Sequence, residues 1–420
     1  MLALTSVWTT LLLAAAVALG PLAIDMYLPA LPSMGESLNA GPDRIQLTLS
    51  IYLAGFALAQ LICGPLADRF GRKPIMVIGF VLFAIASVGC ALASDIETLI
   101  LFRFLQALGG SAGPVLGRAA VRDIYTPREA ARIMAILASI MALAPAIAPA
   151  GGGLLLGIFG WESIFLALGA YSLLMALIIA FGIREPLAAN NRQSLRLDSL
   201  WHNYRTIAAD KSFLGYTLTN ALVFSGLFAF VSGAPFVLID FMGVKAEFFG
   251  FYFGAVVAGY IGGNLIAIAL GRKLLPDRIL VRGVSLCVAS GALMAGLAVT
   301  GVFHISAVMI PQILFMAGVG MVLPQTMSGA LANFPRMAGA ASALFGFVQM
   351  SLAAVVGMFV GQLHTGTSLV MALTIAGCAL AALLSYLTLV RRYPAPGFDL
   401  MPAAAAESQA GTDPIPVTKP

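Results

Sequence analysis

Three charged side chains stand inside or at the edge of long apolar runs of this 420-residue chain: Asp25, Arg103 and Asp68. Charge is costly in an apolar medium, so such groups are retained for a use. A carboxyl there can take up and release a proton, because burial favours its neutral form and a nearby cation its charged form. Asp25 precedes Pro32 by seven residues and Arg103 follows Glu97 by six. At 1.5 Å per helical residue each lies about 9–10 Å below the end of its run, hence at similar depth. Asp25 is therefore the candidate proton carrier, and Arg103 sets its affinity through a direct or water-bridged pair. The plainer reading is that Asp25 caps an irregular helix end beside Tyr27-Leu28-Pro29, with Arg103 as a structural partner. The other sixteen carboxylates fall in loops, linker or tail.

Other chemistries are excluded by residue type. No G-x-x-x-x-G-K-[ST] loop is present to cradle a nucleotide phosphate, so an ion gradient is the expected energy source. Cys63, Cys90, Cys287 and Cys378 lie singly in apolar segments, without metal-ligand spacing. His202, His304 and His364 are scattered through loops and linker. The sequence reads as neither an enzyme nor a metal or cofactor protein.

The elements that must position Asp25 and Arg103 follow from composition. Hydrophobic residues make up 60% of the chain and charged residues 10%, against roughly 25% charged in soluble domains. Lipid is therefore the expected solvent. Apolar runs long enough to span a bilayer number twelve, at roughly 7–31, 45–66, 74–94, 98–120, 131–156, 161–183, 212–238, 247–270, 279–300, 304–326, 337–362 and 367–390. The first is read as a retained helix rather than a cleaved leader, since no Lys or Arg precedes it. Of 23 Lys and Arg, 20 fall in alternate loops and the tail, only Arg44 and Lys245 fall in the other loops, and Arg103 is intramembrane. The positive-inside rule then puts both termini in the cytoplasm. Basic residues confined to short loops do not form a nucleic-acid surface.

The long polar stretch Arg184–Lys211 separates six spans from six. Gly71-Arg72-Lys73 recurs as Gly271-Arg272-Lys273, Arg103-Phe104-Leu105 aligns with Gln312-Ile313-Leu314, and Pro127-Arg128 with Pro335-Arg336. Nearly constant offsets imply two related bundles about a central path, an architecture of transporters. The expected organisation is an N-terminal bundle over 1–185, a linker over 186–211, a C-terminal bundle over 212–392 and a disordered cytoplasmic tail over 393–420. The fold class is all-α membrane protein.

The run Gly64-Pro65-Leu66-Ala67-Asp68-Arg69-Phe70-Gly71-Arg72-Lys73 resembles the loop motif between helices two and three of the major facilitator superfamily. Arg103-Phe104-Leu105-Gln106-Ala107-Leu108-Gly109 resembles its helix-four motif. Pro145-Ala146-Ile147-Ala148-Pro149-Ala150-Gly151-Gly152 resembles the helix-five motif of its drug:proton antiporters. The opening Pro21–Pro32 segment and Arg122-Asp123-Ile124-Tyr125 are similar to the bicyclomycin and chloramphenicol resistance (Bcr/CflA) branch. The resemblance implies a conformational latch built from Gly64, Asp68, Gly71, Arg72 and Asp123, with Asp68 facing the N-terminus of helix eleven near Pro335-Arg336. It also implies that Pro145, Pro149 and Gly152 seal the two halves; glycines of span eight, Gly250, Gly254, Gly259, Gly262 and Gly263, offer a matching surface.

Inward-facing aromatic and amide groups are the candidate substrate contacts: Tyr27, Gln106, Asn220, Phe224, Phe228, Tyr260, Asn264, Gln325, Phe347 and Gln349. Such a lining suits bulky, amphipathic, largely neutral molecules. Arg118 is read as ending helix four at the lipid surface. The expectation is a monomeric, proton-coupled exporter of bicyclomycin-, chloramphenicol- or sulfonamide-type drugs in a bacterial inner membrane. Its partners are small molecules, protons and membrane lipids, with no nucleic acid. The alternatives are an exporter of a metabolite such as a sugar, nucleoside or siderophore, and a non-transporting receptor or scaffold.

Overall fold

A chain dissolved in lipid must satisfy its backbone internally, which leaves helices as the economical solution for segments this apolar. The computed structural model describes residues 6–187, 197–363, 365–396 and 398. Twelve helices long and apolar enough to cross a membrane are formed: spans one to six at Val7–Ser37, Pro42–Phe70, Arg72–Ala91, Ile96–Ile124, Arg128–Phe159 and Glu162–Gly182, and spans seven to twelve at Lys211–Phe241, Ala246–Gly271, Pro276–Val299, Ile305–Ala332, Ala338–Gln362 and Leu369–Val390. Each coincides with an apolar run of the sequence. Some extend further, as Pro42–Phe70 and Ile305–Ala332 do, whereas Glu162–Gly182, Ala338–Gln362 and Leu369–Val390 stay within their runs.

Helix starts use side-chain acceptors for the orphaned first N–H groups. Asp95 accepts from Thr98 N at 2.8 Å and Asp210 from Phe213 N at 2.6 Å. The two hydrogen bonds from Thr98 hold the Asp95 carboxyl below the usual carboxylate range. Span one is interrupted after Asp25 by a 3-10 turn, Leu28–Ala30, where Pro29 and Pro32 prevent a regular ladder.

The two halves meet along two seams, span two against span eleven and span five against span eight. Small residues permit both approaches. A Cβ built on Gly250 would lie 2.6 Å from Ala150 Cα, and one on Gly153 3.0 Å from the Ala246 carbonyl oxygen. Along the other seam Gly361 sits against Gln46, Gly357 against Ser50 and Phe228, and Gly346 against Gln60. Ser232 Oγ donates to Gln46 Oε1 at 2.9 Å across the halves. Beyond Gln60 the contact ends: a Cβ on Gly64 or Gly339 would meet nothing within 4 Å. The halves are thus joined at the face opposite the basic loops and part toward the basic face.

The glycines of span eight do not form one surface, as the sequence reading supposed. Gly250 and Gly254 face span five, whereas Gly259 and Gly263 pack on Ile313 and Ala317 of span ten, and Gly262 is open. Nine residues at 100° each turn Gly259 to the opposite side of the helix from Gly250.

Residues 188–196 of the expected linker and 399–420 of the expected tail lie outside the described residues. Between the halves runs a helix, Leu197–Ala209, whose Tyr204 hydroxyl donates to the Leu61 carbonyl at 3.4 Å. That carbonyl is free because Pro65, four residues on, has no N–H. The start of the tail departs from the disordered reading. Ala395 and Phe398 are buried, the Phe398 ring lies 5.1 Å from that of Tyr216, and Ala395 N donates to Tyr216 Oη at 3.3 Å. A Pro- and Ala-rich composition did not reveal the anchor that Phe398 makes.

Candidate functional site

The charged groups fall into two sites, one buried in the N-terminal half and one at the basic face. Asp25 ends the regular part of span one and is 5% exposed. Among the described residues its carboxylate makes no ion pair and no hydrogen bond. Arg103 is fully buried nearby on span four. Its Nη1 donates to the Ala23 carbonyl at 3.2 Å and to Gln106 Oε1. The expected direct pair is therefore absent: the guanidinium reaches the last turn of span one but stops two residues short of Asp25.

What surrounds Arg103 explains its placement. Its guanidinium carbon lies 4.3 Å from the Tyr27 ring centroid, 4.2 Å from that of Tyr52 and 5.8 Å from that of Phe165. Ring faces carry negative partial charge and attract the cation. Gln106 is held in turn by donating Nε2–H to Ser87 Oγ at 2.7 Å. Tyr27 and Gln106, both fully buried, thus support Arg103 rather than line an open path. Tyr52, which the sequence reading passed over, is the other half of the arrangement. Its signal in the sequence was weak, a single Tyr among the apolar residues of span two.

The basic-face site is a compact ion cluster. Arg72 Nη1 meets Asp68 Oδ1 at 2.6 Å and Arg72 Nε donates to Asp123 Oδ2 at 2.8 Å. This joins the end of span two, the start of span three and the end of span four. Glu185, set aside at the sequence level as a loop acid, completes it. One carboxylate oxygen accepts from Arg72 N at 2.7 Å and Leu187 N at 3.0 Å, and the other from Lys73 N at 3.1 Å. Lys73 Nζ donates to the Ile183 carbonyl at 2.9 Å. The acid caps the N-terminus of span three, where a negative charge is favoured. Gly71 makes this possible on two counts: its φ is +105°, and a Cβ would lie 2.6 Å from the Glu185 carboxylate. No contact ties Asp68 to the start of span eleven among the described residues, and Gly64 and Gly339 are open.

At the helix-five motif, Pro145 is half-buried and Pro149 and Gly152 are buried. Gly152 packs against the Met26 backbone of span one, while its neighbour Gly153 faces span eight. Of the remaining cavity candidates, Asn220 and Phe228 are buried. Asn220 Nδ2 donates to Thr326 Oγ1 at 2.7 Å, and Phe228 stacks on Phe224 with centroids 6.2 Å apart. Phe224, Tyr260, Asn264, Gln325, Phe347 and Gln349 are half-buried and keep surface available. Arg118 is half-buried, with Nε donating to the Pro114 carbonyl at 2.8 Å. No cluster of three or more His, Cys, Asp or Glu able to hold a metal occurs among the described residues.

With this geometry in place, the chain can be set beside known proteins. The model of the Major Facilitator Superfamily matches residues 13–358. A bicyclomycin resistance protein homolog of Haemophilus influenzae is 29% identical over 376 residues, covering 89% of this chain and 94% of that protein. A chloramphenicol resistance protein of Pseudomonas aeruginosa is 33% identical over 344 residues, covering 80% of each. Among solved structures, a bacterial homolog of the human lysosomal transporter Spinster superposes with TM-score 0.71 at 18% identity, over 93% of this chain and 98% of that one. Twelve spans, the loop motif folded into an ion cluster and these matches converge: the chain is a multi-pass membrane transporter of small molecules, not an enzyme, and belongs to the major facilitator superfamily in its Bcr/CflA branch.

Proposed function

We propose that the protein exports small amphipathic drugs of the bicyclomycin, chloramphenicol or sulfonamide type across a bacterial inner membrane in exchange for protons. The observation that carries the coupling is Asp25: a carboxyl buried in a span and, among the described residues, paired with no cation. A group so placed can exchange its proton without first breaking an ion pair. The relatives' names supply the bicyclomycin and chloramphenicol classes, and the half-buried aromatic and amide side chains suit such molecules.

The excess of Lys and Arg on one face makes that face cytoplasmic, with both termini on it. The arrangement described, closed at the far face and parted at the basic face, then corresponds to the inward-open state. Drug enters from the cytoplasm as Asp25 gives up its proton there. Closure of the basic face brings Asp68 to the N-terminus of span eleven, the seams of spans two/eleven and five/eight open outward, and drug leaves as a proton returns to Asp25. The two bundles over 1–185 and 212–392 move about these seams, and the protein works as a monomer in contact with lipid.

The test is proton-driven uptake of labelled chloramphenicol into inverted vesicles. Asp25→Asn should abolish uptake while the protein remains inserted, and a protonophore should abolish uptake by the wild type. Undiminished uptake by Asp25→Asn would sink the coupling assignment; no uptake of any of the three drug classes by the wild type would favour the metabolite-exporter reading.

A further inference from the structure

Near the far face, span two turns two polar side chains toward the other half. Gln46 is fully buried and Ser50 is 4% exposed. Four residues apart, they lie on the same side of the helix. What covers them belongs to the C-terminal half. Gly361 and Gly357 of span eleven lie so close that a Cβ would come 3.0 Å from Gln46 Cβ and 2.9 Å from Ser50 Oγ. Ser232 of span seven donates to Gln46 Oε1 at 2.9 Å, with the Gly357 carbonyl at 3.4 Å as a second acceptor.

This cover leaves hydrogen bonds unmade. Gln46 Nε2 and Ser50 Oγ are buried without a hydrogen-bond partner among the described residues. A polar group in that condition has lost its hydration and gained no partner, which is more costly than either a made hydrogen bond or an apolar group of the same shape. The glycines opposite have no side chain to answer it. The unmet groups therefore weaken the closed far-face seam. When the halves part at that face, the covering residues withdraw and water reaches both groups, so the penalty belongs to one state only.

We infer that Gln46 and Ser50 set the balance between the two faces: their unmet hydrogen bonds keep the far-face seam weak enough to reopen. The inference rests on the reading that the halves part alternately at the two faces. Its sign is distinctive. If the hydrogen bond from Ser232 to Gln46 were a clamp, replacing the amide would loosen the far face. If the unmet groups dominate, replacing them with apolar groups tightens it.

The experiment measures distances by pulsed electron paramagnetic resonance between nitroxides on Ser94→Cys and Val302→Cys. These exposed positions lie between spans three and four and between spans nine and ten. The four native cysteines are buried and stay unlabelled. The purified protein is held in lipid nanodiscs over a range of pH, with and without chloramphenicol. Ser50→Ala removes a hydroxyl that makes no hydrogen bond, and Gln46→Met keeps the length of the side chain while Ser232 retains the Gly357 carbonyl. Each should lower the ratio of far-face-open to far-face-closed molecules by about fivefold or more. Ser50→Ala alters the shape so little that it decides the matter even if Gln46→Met does not fold. An unchanged or raised ratio in Ser50→Ala overturns the inference, and a raised ratio in Gln46→Met overturns it for Gln46 by revealing a clamp. A wild type with a single distance under every condition would instead refute alternate opening itself; two distances in the wild type, with the same ratio in the variants, refute only the role of Gln46 and Ser50.

Discussion

Glu185 offers the sharpest test of the basic-face site, because its effect and that of Gly71 are physically entangled. Replacing Glu185 with Ala leaves Arg72 N–H and Lys73 N–H, the first donors of span three, without their acceptors at 2.7 and 3.1 Å. Loss of a helix N-cap costs about 0.5–2 kcal/mol, and the lost charge at the positive helix end adds about 0.3–1 kcal/mol. The site is half-buried, so water replaces part of this, and a net loss of about 1–2 kcal/mol is expected. Gly71→Ala incurs two separate penalties. The backbone at φ +105° and ψ 155° costs a side-chain-bearing residue about 1–3 kcal/mol, and the new Cβ lies 2.6 Å from the Glu185 carboxylate. In the double variant the second penalty vanishes and the first stays. The double variant should therefore be more stable than the sum of the singles by about 1 kcal/mol, the scale expected of contacting residues. The measurement is the denaturant midpoint in detergent micelles, read by thiol labelling of Cys63, Cys90, Cys287 and Cys378, all buried in the native fold. Additivity within about 0.3–0.5 kcal/mol would refute the argument.

Two further outcomes follow from the seams and the latch. Gly250→Leu puts a side chain where even a Cβ would lie 2.6 Å from Ala150, so the far face should stay open. Transport should fall at least tenfold while reagents added from outside reach Ser232 substituted by Cys; unchanged transport would show that the seam does not close this tightly. Asp68→Asn should lower turnover about tenfold and leave drug affinity within about twofold, since in the proposed cycle Asp68 meets span eleven in only one state; equal losses in both would remove the latch assignment.

Much of the fold was legible because lipid imposes a simple rule. Twelve apolar runs became twelve helices, the runs read at 45–66 and 74–94 forming Pro42–Phe70 and Arg72–Ala91, which only Gly71 separates. Asp25, Arg103 and Asp68 could be singled out by type, since charge is rare enough in such runs for each instance to matter. Their partners were less legible. Glu185 looked like any loop acid, and only the return of the chain after span six brings it to the start of span three. Tyr52 looked like any interfacial aromatic until span two placed it on Arg103. The span-eight glycines were read as one surface because a count of small residues does not say which side of a helix each faces.

The sequence by itself determined the solvent, the number of spans, the face carrying the basic residues and the identity of the few intramembrane charges. These follow from composition and local order, which need no knowledge of what packs against what. Only the tertiary structure decided that Arg103 rests between Tyr27 and Tyr52 rather than on Asp25, and that Glu185 closes the cluster around Arg72. Compensation of a buried charge depends on groups brought together from distant spans, and spacing along one chain cannot choose between a carboxylate and the face of a ring.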